Sequence, residues 1–315
     1  MADDPIHPWN PDPSPTPKWF TDALAVPTES HTVTVEDATI GFRTWGEPSM
    51  PGLVFVHGGG AHNYWWTHVA ALFAHDHRVA ALDLSGHGDS DHRATYSVEQ
   101  WTREVMAVAD ASGFAGPPVV IGHSMGGMVA IVTAAIAGEG RLAGAIVGDS
   151  PVSEPDPEVA SARLGVFRQA KVYPTVEAAL PHFRTVPTQQ NYLDYVVDHV
   201  ARHSLREADE GWRWKFDPNL FSAFAGDPRG IALPYLGDIR CRLALLSFEK
   251  GLLTEDISQF MYDRMGRVTP VVRVPETGHH AMLDQPLLLI TAIRALLADW
   301  DHSTPMLHGR RIESA

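Results

Sequence analysis

The chain has 315 residues, of which 44% are hydrophobic and 20% charged, so it has ample apolar material for a large core and cannot be disordered throughout. Its 24 basic and 38 acidic residues give a net charge of −14, and the resulting field repels phosphate backbones and anionic membrane surfaces. We therefore expect neither nucleic acid nor a membrane as a partner.

The cysteine count and the composition of the first residues predict the cellular compartment in which the protein is found. Cys241 is the single cysteine, which excludes an internal disulfide and a zinc site built on a cysteine cluster. The first residues, "MADDPIHPWNPDPSPTPKW", are acidic and proline-rich rather than basic and then apolar, and no apolar run approaches the roughly 18 residues of a membrane span. We expect a cytoplasmic protein.

The chain begins with a proline-rich arm, residues 1–30, for which the composition predicts irregular structure. Trp9, Trp19 and Phe20 are candidates to pin this arm to the body, and the alternative is a disordered arm. The stretch "HTVTVEDATIGFRTWG" that follows alternates with period two on both sides of a turn, which predicts an antiparallel hairpin at a sheet edge.

Apolar runs and helix-length segments then alternate along the chain. The runs predict strands buried on both faces, at 53–57, 78–83, 118–122, 144–149, 242–248 and 270–274. The predicted helices cover 97–111, 125–138, 255–266 and 283–300. This order predicts an α/β fold with a mainly parallel sheet and helices on both faces.

The alternation is interrupted once, where aromatic, proline and charged residues replace the buried runs. An inserted helical cap is the simplest interpretation. The predicted organisation is an arm (1–30), the first part of the core (31–151), the cap (152–235), the second part of the core (236–302) and a C-terminal tail (303–315).

The pentapeptide Gly122-His123-Ser124-Met125-Gly126 matches G-x-S-x-G between a predicted strand and a predicted helix. A sharp strand-to-helix turn in this context exposes the serine hydroxyl at the carboxyl edge of the sheet, beside a helix N-terminus that favours negative charge. Ser124 is the candidate nucleophile. The competing interpretation is a glycine-rich turn selected for packing.

Three glycines follow His57 at the end of the first apolar run. Consecutive glycines let a backbone approach a ligand closely and turn an N–H group toward it. We expect the oxyanion donors to be the amides of Gly59 and Met125, with Gly58 bordering the substrate. A plain flexible turn is the alternative.

Gly278-His279-His280 lies between the last predicted strand and the last helix. A serine hydroxyl is a weak nucleophile without a neighbouring base. We assign His279 as that base, with His280 as the alternative because adjacent loop side chains are hard to order from sequence.

These motifs, "HGGG", "DLSGHGDS", "GHSMGG" and "GHHAMLDQP", resemble those of the α/β-hydrolase superfamily in their order and spacing. The resemblance implies an eight-stranded sheet with an antiparallel second strand, a catalytic serine, histidine and acid, a variable cap and no cofactor. More narrowly, "HGGGAHNYWW" and "GWRWKFDP" are similar to bacterial esterases of the type that includes phthalate monoester hydrolases.

The acid is the open assignment. The resemblance implies an aspartate after the seventh strand, but the chain has Gly251 at the end of that run. Some members of the superfamily carry the acid after the sixth strand, where Asp149 lies, and Asp149 follows the serine and precedes the histidine. Asp149 is the first choice, and Glu249, Asp256 or a serine–histidine dyad are the alternatives.

Further residues have both a structural and a functional interpretation. Trp65 and Trp66 follow the glycine loop, and at least one is expected in the core while the other borders the substrate. His123 is expected to pack in the turn beside the nucleophile and is included among the substrate-site residues. Asp83 precedes the serine in the chain and is interpreted as structural. The pairs of histidines lack acidic or cysteine partners, so no metal site is predicted.

The combined prediction is a serine hydrolase that needs no cofactor and cleaves a carboxylic ester of a hydrophobic small molecule. A carbon–carbon bond hydrolase of a ring-cleavage product and a non-catalytic ligand-binding protein of the same fold are the alternatives. The exact substrate and the oligomeric state are left open by the sequence, a homodimer being one of the states allowed.

Overall fold

The computed structural model describes residues 8–154, 171–220, 228–303, 306–307 and 310–311. In chain order its strands are β1 (Thr28–Val35), β2 (Ala38–Trp45), β3 (Gly52–Val56), β4 (Arg78–Leu82), β5 (Val119–His123), β6 (Gly144–Gly148), β7 (Leu205–Ala208), β8 (Gly211–Trp214), β9 (Arg242–Lys250), β10 (Val271–Gly278), β11 (Met306–Leu307) and β12 (Arg310–Arg311). The described helices are α1 (Lys18–Leu24), α2 (Thr67–Ala70), α3 (Val98–Ala111), α4 (Met125–Ile136), α5 (Val176–Ala179), α6 (Asp194–His203), α7 (Pro228–Ile231), α8 (Glu255–Arg264), α9 (Ala281–Asp284) and α10 (Pro286–His302).

Eight strands form one sheet in the order β1-β2-β4-β3-β5-β6-β9-β10. Strand β2 runs antiparallel to both β1 and β4, and the pairs from β4 to β10 are parallel. The predicted mainly parallel sheet with an antiparallel second strand is confirmed, and so is the hairpin at its edge.

Two apolar layers cover the sheet, because successive strand residues point to opposite faces. In β3, Phe55 belongs to the layer that also contains side chains of α1, α2 and α10. Its neighbours Val54 and Val56 belong to the other layer, with side chains of α3, α4 and α8. The apolar runs of β3 to β6 therefore correspond to strands buried on both faces. The run at 270–274 does not, because β10 is an edge strand in which Val271 is exposed and Val272 is half-buried.

The parallel strands all end at one edge of the sheet, and the loops there receive the candidate residues. His57 follows β3, Asp83 follows β4, Asp149 follows β6 and His279 follows β10, while Ser124 separates β5 from α4. Residues far apart in the chain are brought together because carboxyl ends of parallel strands share an edge.

Three local predictions differ from the structure. The arm is not wholly irregular: it contains α1, whose Phe20 is buried, and β1 begins at Thr28. The predicted last helix is two helices, α9 and α10, because Pro286 has no amide hydrogen and disfavours helical backbone at Gln285.

The inserted segment between β6 and β9 is not only helical. The β7–β8 hairpin lies within it, and Tyr173 forms a bridge with Trp212 of β8. Residues 155–170 and 221–227 of the predicted cap lie outside the described residues.

Among the helices that the structure describes, none combines the length and the apolar character needed to cross a bilayer.

Candidate active site

Ser124 occupies a strained turn between β5 and α4, with φ 54° and ψ −121°. The flanking glycines make this turn possible. A Cβ atom on Gly122 would lie 2.1 Å from the carbonyl oxygen of Gly126, and one on Gly126 would lie 2.4 Å from the carbonyl oxygen of His57. Both contacts are shorter than atoms allow, so the spacing of glycines around the serine is dictated by the close packing of three backbone segments.

The glycine loop after β3 lies directly against this turn. A Cβ atom on Gly58 would be 3.3 Å from the Cβ atom of Ser124. Gly59 is half-buried in the same loop, and Met125 is the half-buried first residue of α4. An amide at the first position of a helix has no acceptor within the helix and carries part of the positive end of the helix dipole.

Asp149 is the carboxylate that contacts His279. Its Oδ2 atom accepts a hydrogen bond from His279 Nδ1 at 2.6 Å, and both side chains are buried. The carboxylate also accepts from the backbone amides of Leu252, at 2.7 Å, and Leu253, at 3.0 Å. These donors hold Asp149 in the orientation in which it faces the histidine.

Gly251 provides the space for this carboxylate. A Cβ atom at position 251 would lie 2.3 Å from Asp149 Oδ2. Glu249 is exposed and accepts from the amide of Glu276 instead, and Asp256 is exposed in the first turn of α8. Of the three acids considered from sequence, Asp149 is the one that reaches His279.

His279 is oriented from both sides. Its carbonyl oxygen accepts a hydrogen bond from His123 Nε2 at 2.7 Å, and its ring lies 4.6 Å from the His123 ring, between centroids. Because a carboxylate only accepts hydrogen bonds, His279 Nδ1 carries the hydrogen and Nε2 has the lone pair. Nε2 is buried and has no hydrogen-bond partner among the described residues.

Burial keeps the neighbouring histidines neutral. Desolvation is the main cause that lowers the pKa of His123 and of His280 well below 6.5, and the adjacent His279 lowers both further. Desolvation also lowers the pKa of His57 to about 4, with the Gly58 carbonyl opposing the shift. These three histidines therefore carry no charge at neutral pH, and the charged group that contacts the His279 ring is the Asp149 carboxylate.

The two tryptophans have different neighbours. Trp66 is fully buried and packs against Phe55 of β3, with ring centroids 4.9 Å apart. Trp65 packs against His280, at 5.4 Å, and against Phe183 of the inserted segment, at 6.3 Å. Trp66 is thus part of the core, whereas Trp65 lies between the histidine loop and the inserted segment.

Gln189 is a residue of the site that the sequence reasoning did not identify. It lies in the inserted segment, and its Oε1 accepts from the amide of His280 at 2.8 Å while its Nε2 donates to the carbonyl of Asn191. Nothing in the local sequence signals this contact, because it joins residues 91 positions apart.

Asp83 and His57 hold loops rather than contact His279. Asp83 accepts from the amides of Asn63, at 2.6 Å, and Asp89, at 2.9 Å, and burial raises its pKa to about 7. His57 Nε2 accepts from the amide of Leu84 at 3.0 Å, and its Nδ1 donates to the Gly58 carbonyl. Both residues connect the loops after β3 and β4.

An eight-stranded sheet of this order, with a serine at a strained strand-to-helix turn, defines an α/β-hydrolase. The sequence pattern of the Alpha/beta hydrolase family matches residues 53–292. The chain belongs to this family, as its motifs predicted.

Relatives with known names extend the comparison. Esterase Rv0045c of Mycobacterium tuberculosis is 28% identical over 284 residues, covering 84% of this chain and 88% of the relative. The sn-1-specific diacylglycerol lipase ABHD11 of Mus musculus is 27% identical over 261 residues, covering 80% and 83%. The chain is a hydrolase with esterase relatives over most of its length.

Solved structures agree with the fold. The crystal structure of E-2-(acetamidomethylene)succinate hydrolase has a TM-score of 0.73 at 18% identity and covers 86% of this chain and 99% of its own. The thioesterase domain from the curacin biosynthetic pathway has a TM-score of 0.69 at 22% identity, with coverage of 85% and 99%. At these identities the likeness concerns the fold alone.

Proposed function

We propose that the protein is a serine hydrolase that cleaves a carboxylic ester of a hydrophobic small molecule through an acyl-enzyme, with no cofactor. The observation that carries the proposal is the 2.6 Å hydrogen bond between the buried Asp149 carboxylate and His279 Nδ1, at the same edge of the sheet as the strained turn of Ser124. This bond leaves His279 Nε2 as a base, which is the group that a serine nucleophile requires.

Ser124 Oγ attacks the ester carbonyl while His279 Nε2 accepts its proton. The negative charge that develops on the carbonyl oxygen is stabilised by the amides of Gly59 and Met125 and by the N-terminus of α4. The imidazolium then protonates the departing alcohol. In the second half of the reaction His279 takes a proton from water, whose oxygen attacks the acyl-enzyme and releases the acid.

Asp149 selects the histidine tautomer and stabilises the imidazolium that forms in both halves. Gly251 stands where the resemblance implies an aspartate, which by itself favours a non-catalytic protein. The hydrogen bond of Asp149, from the loop after β6, to His279 supports a catalytic one instead.

Aromatic side chains beside the site support a hydrophobic substrate. Trp65 packs against Phe183, and Phe183 packs against Trp214 at 5.9 Å. Aromatic side chains of this kind favour contact with the apolar acyl or alcohol part of a small ester. The names of the two relatives, an esterase and a diacylglycerol lipase, support ester cleavage as the reaction class.

The proposal is tested with a fluorophosphonate probe and short p-nitrophenyl esters. We expect one adduct per chain, located on Ser124 by peptide mass analysis, and ester turnover that is abolished in Ser124→Ala. An unmodified protein after prolonged exposure to several probes, together with turnover equal to that of Ser124→Ala, would refute the assignment.

A further inference from the structure

Three histidine side chains meet at the edge of the sheet, and one of them, His123, directly precedes Ser124 in the chain. The ring centroids of His123 and His279 are 4.6 Å apart, those of His279 and His280 are 4.7 Å apart, and those of His123 and His280 are 5.6 Å apart. One ring nitrogen of each residue lies within 4.8 Å of the other two. All three residues are at least 95% buried. His123 ends β5, and His279 and His280 follow β10 at the same edge of the sheet.

Each of these rings donates one N–H hydrogen bond, and the acceptor is in each case a carboxylate or backbone carbonyl oxygen. His279 Nδ1 donates to the Asp149 carboxylate, His123 Nε2 to the His279 carbonyl at 2.7 Å, and His280 Nε2 to the Pro187 carbonyl at 3.0 Å. In the neutral rings the opposite nitrogens, His279 Nε2, His123 Nδ1 and His280 Nδ1, therefore carry lone pairs. Among the described residues, His279 Nε2 and His280 Nδ1 have no hydrogen-bond partner although they are buried.

This pattern is the one found around metal ions. Metal-ligating histidines donate their second ring N–H to a carboxylate or a carbonyl, which selects the tautomer and orients the ring. Tetrahedral zinc bound by imidazoles holds the ligand nitrogens roughly 3.3 Å apart. Nitrogens that lie within 4.8 Å of one another must therefore approach by up to about 1.5 Å to bind one ion. Three neutral imidazoles select zinc and copper over magnesium and calcium, which prefer oxygen ligands.

We propose that His123, His279 and His280 form a binding site for one Zn²⁺ or Cu²⁺ ion, and that this ion inhibits the enzyme. The ion takes the lone pair of His279 Nε2, so that nitrogen can no longer accept the Ser124 proton. Binding itself depends only on the three rings. The inhibitory effect rests on the proposed function, because it requires His279 to be the base.

Direct binding is measured by titrating the metal-free full chain with Zn²⁺ in a calorimeter and with Co²⁺ in an absorption spectrometer. We expect one tight site per chain. We also expect intense visible Co²⁺ bands, which are typical of four-coordinate cobalt with nitrogen ligands. Weak bands typical of six-coordinate Co²⁺ would overturn the site even if some metal binds.

Two single variants and one control variant outside the cluster identify the ligands. His280→Gln and His123→Gln should each weaken Zn²⁺ binding at least 10-fold. The double variant His75→Gln/His77→Gln, which removes a histidine pair outside the cluster, should bind as the unaltered chain does. Unchanged binding in both cluster variants, or lost binding in the control variant, would overturn the proposal. If a cluster variant does not fold, the Co²⁺ spectrum of the unaltered chain decides.

Ester turnover then separates the two proposals. Micromolar Zn²⁺ should remove at least 90% of the activity and EDTA should restore it, whereas Mg²⁺ should have no effect. Inhibition of each protein is expressed relative to its own rate without metal. On that scale, the Zn²⁺ concentration for half inhibition should be at least 10-fold higher in His280→Gln than in the unaltered chain. Tight binding with unchanged turnover would overturn the inhibitory role alone. A metal-free chain without turnover would count against the hydrolase assignment, not against the metal site.

Discussion

Asp149 and Gly251 act as a pair: one supplies the carboxylate and the other leaves room for it. Asp149 has φ 46°, an uncommon conformation for a residue with a side chain, and its oxygens accept from His279 and from the amides of Leu252 and Leu253. A strained backbone conformation persists in a folded protein where the surrounding contacts hold the residue in that conformation. The strain here is offset by charge-assisted hydrogen bonds to a buried carboxylate.

A methyl group at position 251 should damage the site. In Gly251→Ala the new Cβ atom would lie 2.3 Å from Asp149 Oδ2, so the carboxylate or the β9 loop must move. We expect kcat to fall at least 10-fold and the free energy of unfolding to fall by about 1–3 kcal/mol. Steady-state kinetics and urea unfolding measure the two effects. Gly237→Ala is the matched control, because a Cβ there meets no atom within 4 Å. Equal kinetics of the two variants would contradict this packing argument.

Removal of the carboxylate charge should affect catalysis more than folding. Asp149→Asn keeps the shape of the side chain but disrupts the hydrogen bond that selects the His279 tautomer, so we expect kcat to fall by roughly 10⁴. Glu249→Gln, an exposed control, should keep near-native kcat. The measurement is turnover of a p-nitrophenyl ester. A collapse of kcat in the control with near-native turnover in Asp149→Asn would show that the acid is misassigned.

At the scale of elements, the inserted segment is joined to the loop that carries the histidines. The amide of Leu193 donates to the carbonyl of Leu283 at 2.8 Å, and Gln189 accepts from the amide of His280. On the other side of the site, Ser204 is hydrogen-bonded to His62 at 2.8 Å. The segment thus covers the carboxyl edge of the sheet and also supports the loop on which His279 lies.

Gln189 should therefore act as a positioning residue. In Gln189→Ala the amide of His280 loses its acceptor, and we expect kcat to fall about 10- to 100-fold with little change in KM, because small displacements of a catalytic group are costly. Gln189→Glu retains an acceptor oxygen and should recover part of kcat. The exposed Gln259→Ala is the control. The idea fails if the alanine variant keeps its kcat, or if KM alone changes.

At the scale of the whole molecule, and among the residues that the structure describes, more histidines have a pKa lowered by burial than acids have a pKa raised by it. Desolvation lowers the pKa of His57 and His68 to about 4 and that of His199 to about 3. The opposite contribution comes from acids such as Asp83, whose pKa burial raises to about 7. Histidines that are neutral in the folded protein take up protons when the chain unfolds below pH 6.5, so acid favours the unfolded state.

Stability should therefore fall as the pH is lowered from about 7 toward 4. His68 is suited to test this effect. Its ring is fully buried between α1 and α9, and its Nε2 donates a hydrogen bond to the Met282 carbonyl at 2.8 Å. Its contribution is present above pH 6.5 and is lost as the pH falls toward 4, amounting to up to about 2 kcal/mol at pH 5.

The measurement is urea unfolding at pH 7.5 and pH 5. The stability difference between these two pH values should be smaller in His68→Gln than in the unaltered chain. The exposed His302→Gln should leave the difference unchanged. The same difference in all three proteins would show that His68 takes no part in the acid response.

Much of the fold could be predicted from local sequence patterns. The break before Pro286 and the β7–β8 hairpin were not predicted. The apolar runs located β3 to β6 and β9, because strands covered on both faces need continuous apolar sequence. The run at β10 located an edge strand that is only partly buried. The break at Pro286 could have been predicted from its missing amide hydrogen. The β7–β8 hairpin of the inserted segment could not, since its short strands are only partly buried and show no strong alternation.

The candidate nucleophile and base were identified from sequence because their motifs describe backbone constraints within a few residues. The glycines around Ser124 are required by contacts at 2.1 and 2.4 Å. Which acid contacts His279, where Gln189 lies and how the histidines cluster are determined only by the tertiary structure. Asp149, Glu249 and Asp256 all satisfy the same chain order, and only the pairing of β6 with β9 brings the Asp149 carboxylate under Gly251 and onto His279. A sequence motif can specify a local turn, but the distance between side chains on different loops depends on how the strands are aligned in the sheet.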